Sequence, residues 1–439
     1  MRPFLFCGMP IEVIYTAYLK SSGVCTDTRK ISENCFFVAL KGPNFNANDF
    51  VLQALSEGAS FCVADEDRPE FKNNARISIV PDGLEFLQNL ARHHRSKLKI
   101  PVVALSGSNG KTTSKEILRA ALSEQYTCLA TKGNLNNHIG VPLTLLEINQ
   151  DHEIAIIEMG ANHQKEISFL CDIARPDYAY LTNIGSAHLE GFGGLEGVYK
   201  GKKELFDFID SSMGTLFVNT DDTQIVKAAG ETKKITYGSA DSHFQGSYVI
   251  ENDKLTVSWW RDIDPFKRSI KTQLTGAYNF SNVLSAVAIA RYFGVPDDDI
   301  RKGIEKYTPS NNRSQLVHTK QGNTVIVDCY NANPSSMDAA LDNLNQFDAQ
   351  SKVAILGDML ELGEAADAEH QKIVSKVSSL AVKGLFVGDY FAQHPQDGAI
   401  HVTETPDLAS HLKESPIKNS TILLKGSRKM KLETLLELL

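Results

Sequence analysis

One stretch constrains this chain's fold more than any other: Val102-Val103-Ala104-Leu105-Ser106-Gly107-Ser108-Asn109-Gly110-Lys111-Thr112-Thr113. Its short β-branched, apolar run reads as a buried parallel strand that ends in a glycine-flanked turn. Residues from Thr112 to Leu122 then carry apolar positions at helical spacing. A strand, a tight turn and a helix N-terminus make an anion cradle, because backbone N–H groups and the helix dipole face the same point. Lys111 is placed to reach the β- and γ-phosphates of a nucleoside triphosphate such as ATP, and the Thr112 hydroxyl to ligate Mg²⁺. Gly107, Ser108, Asn109, Gly110 and Thr113 complete the phosphate-binding turn. Leu105 stands five residues before Gly110, where the general P-loop has glycine, so the turn is the shorter Gly-x-x-Gly-Lys-Thr-Thr form. The alternative is an ordinary strand–helix turn; the position of Gly-Lys-Thr-Thr at the junction favours nucleotide binding.

At 439 residues the chain is too long for one core, and two or three domains are expected. Hydrophobic residues make up 42% of it without low-complexity tracts, which places it among globular proteins. A formal charge of −8 argues against a general polyanion binder, so nucleic acid is not an expected partner and any phosphate pocket is local. The seven cysteines (7, 25, 35, 62, 128, 171 and 329) are scattered singly, an odd count with no Cys-x-x-Cys pair. That pattern predicts neither a disulfide framework nor a zinc knuckle, and points to a reducing compartment. The apolar start, Met1 to Ile11, is broken by Pro3 and Pro10 and reaches Glu12, which argues against a signal peptide. No apolar run approaches the roughly 20 residues needed to span a bilayer. A cytoplasmic protein with no membrane span is the expectation.

Residues 1–99 read as a first unit. A strand over 34–42 ends in a turn, a helix-like segment runs from Asp49 to Gly58, and a second strand covers 59–64. Thr28-Arg29 and Lys41-Gly42 have the chemistry to hold a phosphate or a uracil edge, although spacing alone favours a surface turn and an edge strand. Leu84 to Leu98 is a basic amphipathic helix, and Pro101 marks the boundary.

Residues 100–309 form the nucleotide domain. After the P-loop helix, Asn134, Asn136 and Asn137 sit in a glycine-containing loop; such amides satisfy local backbone groups or bind sugars and amides. An apolar strand over 153–157 ends in Glu158, where a nucleotide-binding sheet carries a Mg²⁺ ligand. The strand over 178–184 leads to His188, a third polar group at the same sheet edge, and this favours metal. Lys200, Lys202 and Lys203 open a helix and on spacing alone read as a solvated basic face. A strand is expected over 214–219 and a β-hairpin over 248–260. Asn279 and Asn282 are three apart before the apolar helix Val283 to Phe293; they suit either an adenine edge or a helix cap.

From residue 310 strands and helices alternate: strands over 324–329, 352–356, 384–387 and 421–424, helices over 336–347 and 368–380. This predicts a doubly wound α/β domain with polar loops at its strand ends, where ligands gather. No Gly-x-Gly-x-x-Gly occurs, so no dinucleotide fingerprint is present.

These loops together resemble the ATP-dependent Mur ligases of peptidoglycan synthesis, over nearly the whole chain. The resemblance rests on Gly107–Thr113, Gly133–Leu145, Glu158–Asn162 with Gln164–Ile167, Thr182–Gly193, Asp328–Met337, Gly357–Gly363 and Lys425–Met430. Tyr330-Asn331-Ala332-Asn333-Pro334 with Gly357-Asp358-Met359-x-Glu361-Leu362-Gly363 is similar to the members that add a D-alanyl-D-alanine dipeptide. The Asp-Asn-Pro-Arg of the members that add the third residue is missing, as is the N-terminal glycine motif of those acting earlier.

The resemblance implies an α/β fold of three domains. They are a small N-terminal α/β substrate domain (1–99), a central P-loop nucleotide-binding domain with a mostly parallel sheet (100–309) and a C-terminal Rossmann-like doubly wound domain (310–439). It implies ATP and two Mg²⁺, with Lys111 on the phosphates, Thr112 and Glu158 on one metal and His188 on the second. Lys202 aligns with a lysine that family members carry as an N-carbamate holding that second metal, against the solvated-face reading. Asn279 and Asn282 would meet adenine, and Arg313 and Asp328 the phosphates and ribose. Thr28, Arg29, Lys41 and Gly42 would line a uridine-diphosphate pocket. Asn134, Asn136 and Asn137 would face the sugar-peptide; Tyr330, Asn331, Asn333 and Asp358 would serve the substrates from the last domain. The implied substrates are UDP-N-acetylmuramoyl-tripeptide and D-alanyl-D-alanine, joined through an acyl phosphate by a monomer. Tyr278 stands where His is common, Val327 replaces the first of two acids, and Asn46-Ala47-Asn48-Asp49 replaces the usual Asp-Gly-His-Asp. The rivals are a sister Mur or folylpolyglutamate-type ligase, and a P-loop ATPase or nucleotide-gated binding module.

Overall fold

The computed structural model describes residues 5–6 and 9–439, with side chains from Pro10 onward. Cys7 and most of the apolar start therefore lie outside the described residues. The chain divides into two compact units: residues 1–104, 127–160 and 167–177, and residues 105–126, 161–166 and 178–439.

The first unit opens with a hairpin of β1 (Leu5–Phe6) and β2 (Met9–Pro10), then α1 (Ile11–Leu19). Next come β3 (Val24–Cys25), β4 (Phe36–Val38), the small hairpin β5 (Lys41–Gly42) and β6 (Phe45–Asn46), α2 (Val51–Ser56), β7 (Phe61–Ala64), β8 (Ile77–Ile79) and α3 (Gly83–Lys97). The sheet runs β3-β4-β7-β8, all parallel, over a core of Phe37, Ala54, Cys62, Ala64 and Phe71. The single strand expected over 34–42 is two: β4 is buried throughout, and β5 is exposed and pairs with β6 across the Pro43-Asn44 turn.

Strand β9 (Val102–Ser106) is divided between the units, and α4 (Lys111–Leu122) follows it in the second. β10 (Cys128–Ala130), α5 (Gly140–Leu146), β11 (Ile154–Glu158) and most of α6 (Glu166–Ala174) return to the first unit, with β10 and β11 parallel. There a polar and aromatic cluster ties the helices together. His94 on α3 receives the Tyr15 hydroxyl at 2.9 Å on Nδ1 and donates from Nε2 to Ile148 O at 2.8 Å, while Tyr18 donates to Leu146 O at 2.6 Å.

In the second unit the chain continues with β12 (Tyr178–Leu181), α7 (Leu189–Phe192), α8 (Leu195–Ser211), β13 (Thr215–Asn219), α9 (Thr223–Ala229) and β14 (Lys234–Gly238). Strands β15 (Phe244–Glu251), β16 (Lys254–Arg261) and β17 (Asp264–Lys271) form an antiparallel extension, one strand more than the expected hairpin. Helices α10 (Asn279–Tyr292) and α11 (Asp297–Lys306) pack on α4 so closely that a Cβ on Gly303 would lie 2.3 Å from Ala120 O.

A six-stranded sheet closes the chain. Its elements are β18 (Gln315–His318), β19 (Thr324–Val327), α12 (Pro334–Gln346), β20 (Lys352–Gly357), α13 (Ala366–Ser379), β21 (Lys383–Val387), α14 (Asp389–Ala392), β22 (Ile400–Val402), α15 (Thr405–Glu414) and β23 (Thr421–Lys425). The order β18-β19-β23-β20-β21-β22 is parallel except for the edge strand β18, which is the doubly wound arrangement predicted, with β18 and β22 added. Val325, Val327, Ile355, Leu385, Ile422 and Leu424 fill its core. Among the described residues no helix is long and apolar enough to cross a membrane.

Candidate active site

The turn after β9 carries glycine at two positions of positive φ. Gly107 has φ +142°, and a Cβ there would lie 2.0 Å from Thr182 Oγ1; Gly110 has φ +74° and would meet the Asn282 amide at 3.2 Å. The overlap excludes a side chain at Gly107, and at Gly110 positive φ and the tight contact disfavour one. The loop between them is fastened to the segment after β12. Ser108 N and Asn109 N donate to Asn183 O (3.1 Å) and Asn183 Oδ1 (2.9 Å), and Ser108 Oγ exchanges hydrogen bonds with Gly185. Asn183 was not singled out in sequence, although it follows a strand end directly.

Helix α4 begins at Lys111, whose ammonium folds back onto Gly107 O at 2.6 Å and Ser108 O at 3.2 Å. A phosphate seated in the turn would compete for that ammonium. Thr112 and Thr113 are buried just behind it. Further down, Ser114 Oγ donates to Asn282 Oδ1 (2.8 Å), Asn282 Nδ2 to Asn279 Oδ1 (2.9 Å) and Asn279 Nδ2 to Thr275 O (2.8 Å). Helix α10 starts at Asn279 itself, so both amides lie in its first turns, buried and spent on a relay that braces the P-loop helix.

His188 is left-handed (φ +53°) at the start of α7, and its Nδ1 makes a short hydrogen bond to Glu361 in the loop after β20. That hydrogen bond, with burial opposing it, holds the Glu361 carboxyl below the usual carboxylate range. Glu361 itself was not predicted as a site residue.

Lys202 corrects the reading from spacing. It is 0% exposed, with Nζ 3.4 Å from Ala161 O and 5.1 Å over the Phe192 ring. Burial first, then the Lys111 charge, pulls its amine well below the usual lysine value. Helix α8 thus turns one lysine of the basic run inward while Lys200 stays exposed.

In the first unit, Glu158 closes β11 at 1% exposure; its N–H meets Thr131 Oγ1 (2.9 Å) and its Oε1 accepts from Asn136 Nδ2 (2.8 Å). Asn137 Oδ1 accepts from Ile139 N (3.1 Å) and Gly140 N (2.9 Å) just before α5, and Asn134 is exposed. Thr28 and Arg29 lie on one 3-10 turn, where Arg29 grips Asp27 and pulls its carboxyl to about 2. Lys41, beside the exposed Gly42, pairs with Asp65 (3.0 Å) and Glu66 (3.1 Å).

The last sheet brings further predicted residues to its strand ends. Asp328 accepts from Lys425 Nζ (2.6 Å) and Ser314 N (3.1 Å), and Tyr278 exchanges a hydrogen bond with Ser314 Oγ at 2.8 Å. Arg313 lies 3.8 Å over the Tyr330 ring, with its Nε buried and without a hydrogen-bond partner. Asn331 is exposed and takes Lys425 on its carbonyl. Asn333 caps α12. Asp358 is spent internally: its carboxylate accepts Tyr390 N and Phe391 N at 3.0 Å and is 4% exposed, so it holds the start of α14.

The donor set expected for magnesium is one carboxylate, one hydroxyl, one imidazole and one lysine. Among the described residues no three His, Cys, Asp or Glu side chains come together. A hard cation that keeps waters and binds phosphate oxygens suits such a sparse set, and burial of Lys202 favours the uncharged amine that a carbamate requires.

Family models match this chain twice: the Mur ligase middle domain over residues 105–290 and the Mur ligase, glutamate ligase domain over residues 312–428. The UDP-N-acetylmuramoyl-tripeptide--D-alanyl-D-alanine ligase of Bacillus subtilis (strain 168) is 33% identical over 94% of this chain and 92% of its own. Among solved structures, MurF from Acinetobacter baumannii superposes with a TM-score of 0.86 at 29% identity, covering 97% of both chains. MurF from Thermotoga maritima in complex with ADP does so at 0.85 and 26%, over 96% of this chain and 97% of that one.

Proposed function

The chain belongs to the Mur ligase family, and from that premise we propose that it joins D-alanyl-D-alanine to UDP-N-acetylmuramoyl-tripeptide at the expense of ATP. It is an ATP-dependent ligase of peptidoglycan precursor synthesis. The observation that carries the reading is the turn framed by Gly107 and Gly110, both at positive φ, whose helix opens at Lys111.

The terminal carboxylate of the tripeptide attacks the γ-phosphorus of ATP; the bond to the bridging oxygen breaks, leaving ADP and an acyl phosphate. The dipeptide amine then attacks the acyl carbon, loses a proton and expels inorganic phosphate, leaving an amide. Two anions approach one another in the first step, so the N-terminus of α4 and the Lys111 ammonium serve by spreading charge. Bound magnesium supplies further charge neutralisation; Thr112 and Glu158 would hold one ion, and His188 with an N-carbamoylated Lys202 the other. The burial of Lys202, which favours the free amine, supports that carbamate, since only the free amine adds carbon dioxide. Arg313, freed of any hydrogen-bond partner at Nε, and Asp328 take the nucleotide's phosphates and ribose. Asn279 and Asn282 belong to the adenine side, where their relay braces the helix that opens at Lys111.

Thr28, Arg29, Lys41 and Gly42 serve the uridine diphosphate, and Asn134, Asn136 and Asn137 the sugar-peptide. Tyr330, Asn331 and Asn333 serve the substrates of the last domain, and Asp358 supports that loop from behind. The functional division is 1–99, 100–309 and 310–439, in a cytoplasmic monomer. The test is a substrate panel in which ADP and the amide product are followed by mass spectrometry. Amide from the dipeptide with the UDP-tripeptide is expected; amide only from a single amino acid points to a sister or folylpolyglutamate-type ligase. ATP hydrolysis indifferent to both substrates overturns ligation altogether.

A further inference from the structure

Within the second unit, the phosphate turn has a side chain that looks away from the phosphates. The backbone of Asn109 is taken up by the segment after β12: its N–H donates to Asn183 Oδ1, and its carbonyl accepts from Thr182 Oγ1 and Asn183 Nδ2. Both ends of its amide go to the start of α12 instead. Asn109 Nδ2 donates to Ser335 Oγ at 2.8 Å, Ser335 Oγ donates to Asn333 Oδ1 at 3.0 Å, and Asn333 Nδ2 returns to Asn109 Oδ1 at 2.7 Å. The three side chains form a closed ring of hydrogen bonds, each polarising the next. Gly185 lets the ring close, because a Cβ there would stand 2.8 Å from Ser335 Oγ.

Ser335 is not needed to cap α12. The capping box consists of Asn333 and Ser336: Ser336 N donates to Asn333 Oδ1 at 2.9 Å, and Asn333 N donates to Ser336 Oγ at 3.1 Å. Pro334 sets the first turn. The Ser335 hydroxyl is therefore surplus to helix formation and spent wholly on the ring. We propose that Ser335 is a positioning residue that clasps the start of α12 to the phosphate turn and so keeps the activated carboxyl for the amine. This rests on the acyl-phosphate chemistry given above.

The consequence is a partition. Water reaching the acyl carbon expels inorganic phosphate and regenerates the carboxylate, so ADP is made without amide; the dipeptide amine expels the same phosphate and leaves amide. A loosened clasp admits water without removing any group that touches the phosphates.

The test compares the wild-type chain with Ser335→Ala and Ser335→Thr, measuring ADP and amide in the same reaction with ATP, magnesium, UDP-tripeptide and dipeptide. Wild type should release one ADP per amide, Ser335→Ala about two or more, and Ser335→Thr, which keeps the hydroxyl, should return to one. Melting temperatures of the three proteins should agree, since the capping box is intact in each. Ser335→Ala turning over at one ADP per amide overturns the clasp, as does an excess of ADP that Ser335→Thr fails to correct. A wild-type chain that forms no amide from these substrates overturns the ligase reading and the clasp together.

Discussion

Lys202 shows how far burial changes the chemistry of one residue. In water its amine would be an ammonium; inside α8, beneath Phe192, burial and then the Lys111 charge pull it well below the usual lysine value, toward the neutral form. The wild-type protein supplied with ¹³C-bicarbonate should therefore show a carbamate carbonyl signal in its carbon NMR spectrum, and Lys202→Ala should lack it. The same variant should lose turnover and regain part of it with added short carboxylates. Lys111→Ala should lower turnover by about a hundredfold or more, the scale of removing one preorganised charge donor. The two glycines of the turn offer a sharper contrast with Gly133. Gly107→Ala combines positive φ with a Cβ 2.0 Å from Thr182 Oγ1 and should abolish ADP binding in calorimetry; Gly133→Ala, with φ +54° but nothing within 4 Å, should cost only about 1 kcal/mol of stability.

At the scale of elements, the cluster joining α1 and α3 to the loop after α5 depends on an uncharged His94. Burial lowers its imidazole value, opposed in part by its hydrogen bond to Ile148. A base whose folded value lies below its unfolded value binds more protons when unfolded, so stability rises with pH through that window and levels off above the ordinary imidazole value. Urea midpoints measured between about pH 5 and 8 should show this slope, and His94→Gln should flatten it. Burial lowers His93, His370 and His401 too, so some slope will remain. The strand and helix of the P-loop were legible because a β-branched run, two glycines and a helical apolar stripe agree locally. The same held for four strands of the last sheet. The edge strands β18 and β22 were not, since Gln315–His318 and Ile400–Val402 are only half-buried and carry little apolar signal. Lys202 was illegible from spacing because a helix face is turned inward by what packs around it. Glu361 and Ser335 were illegible because their partners lie 173 and 226 residues away in sequence.

For the whole molecule, the account holds that a carboxylate takes the outermost phosphoryl group of ATP before any amine arrives. Magnesium chelation should then abolish both ADP release and amide formation, since the phosphates would lose the ion that helps neutralise them. The most direct measurement follows an oxygen atom. With ¹⁸O in the terminal carboxylate of the UDP-tripeptide, the attacking oxygen remains on phosphorus when the amine displaces phosphate. One ¹⁸O in each inorganic phosphate released, in step with amide formed, is the expected result. Amide accompanied by unlabelled phosphate would contradict it.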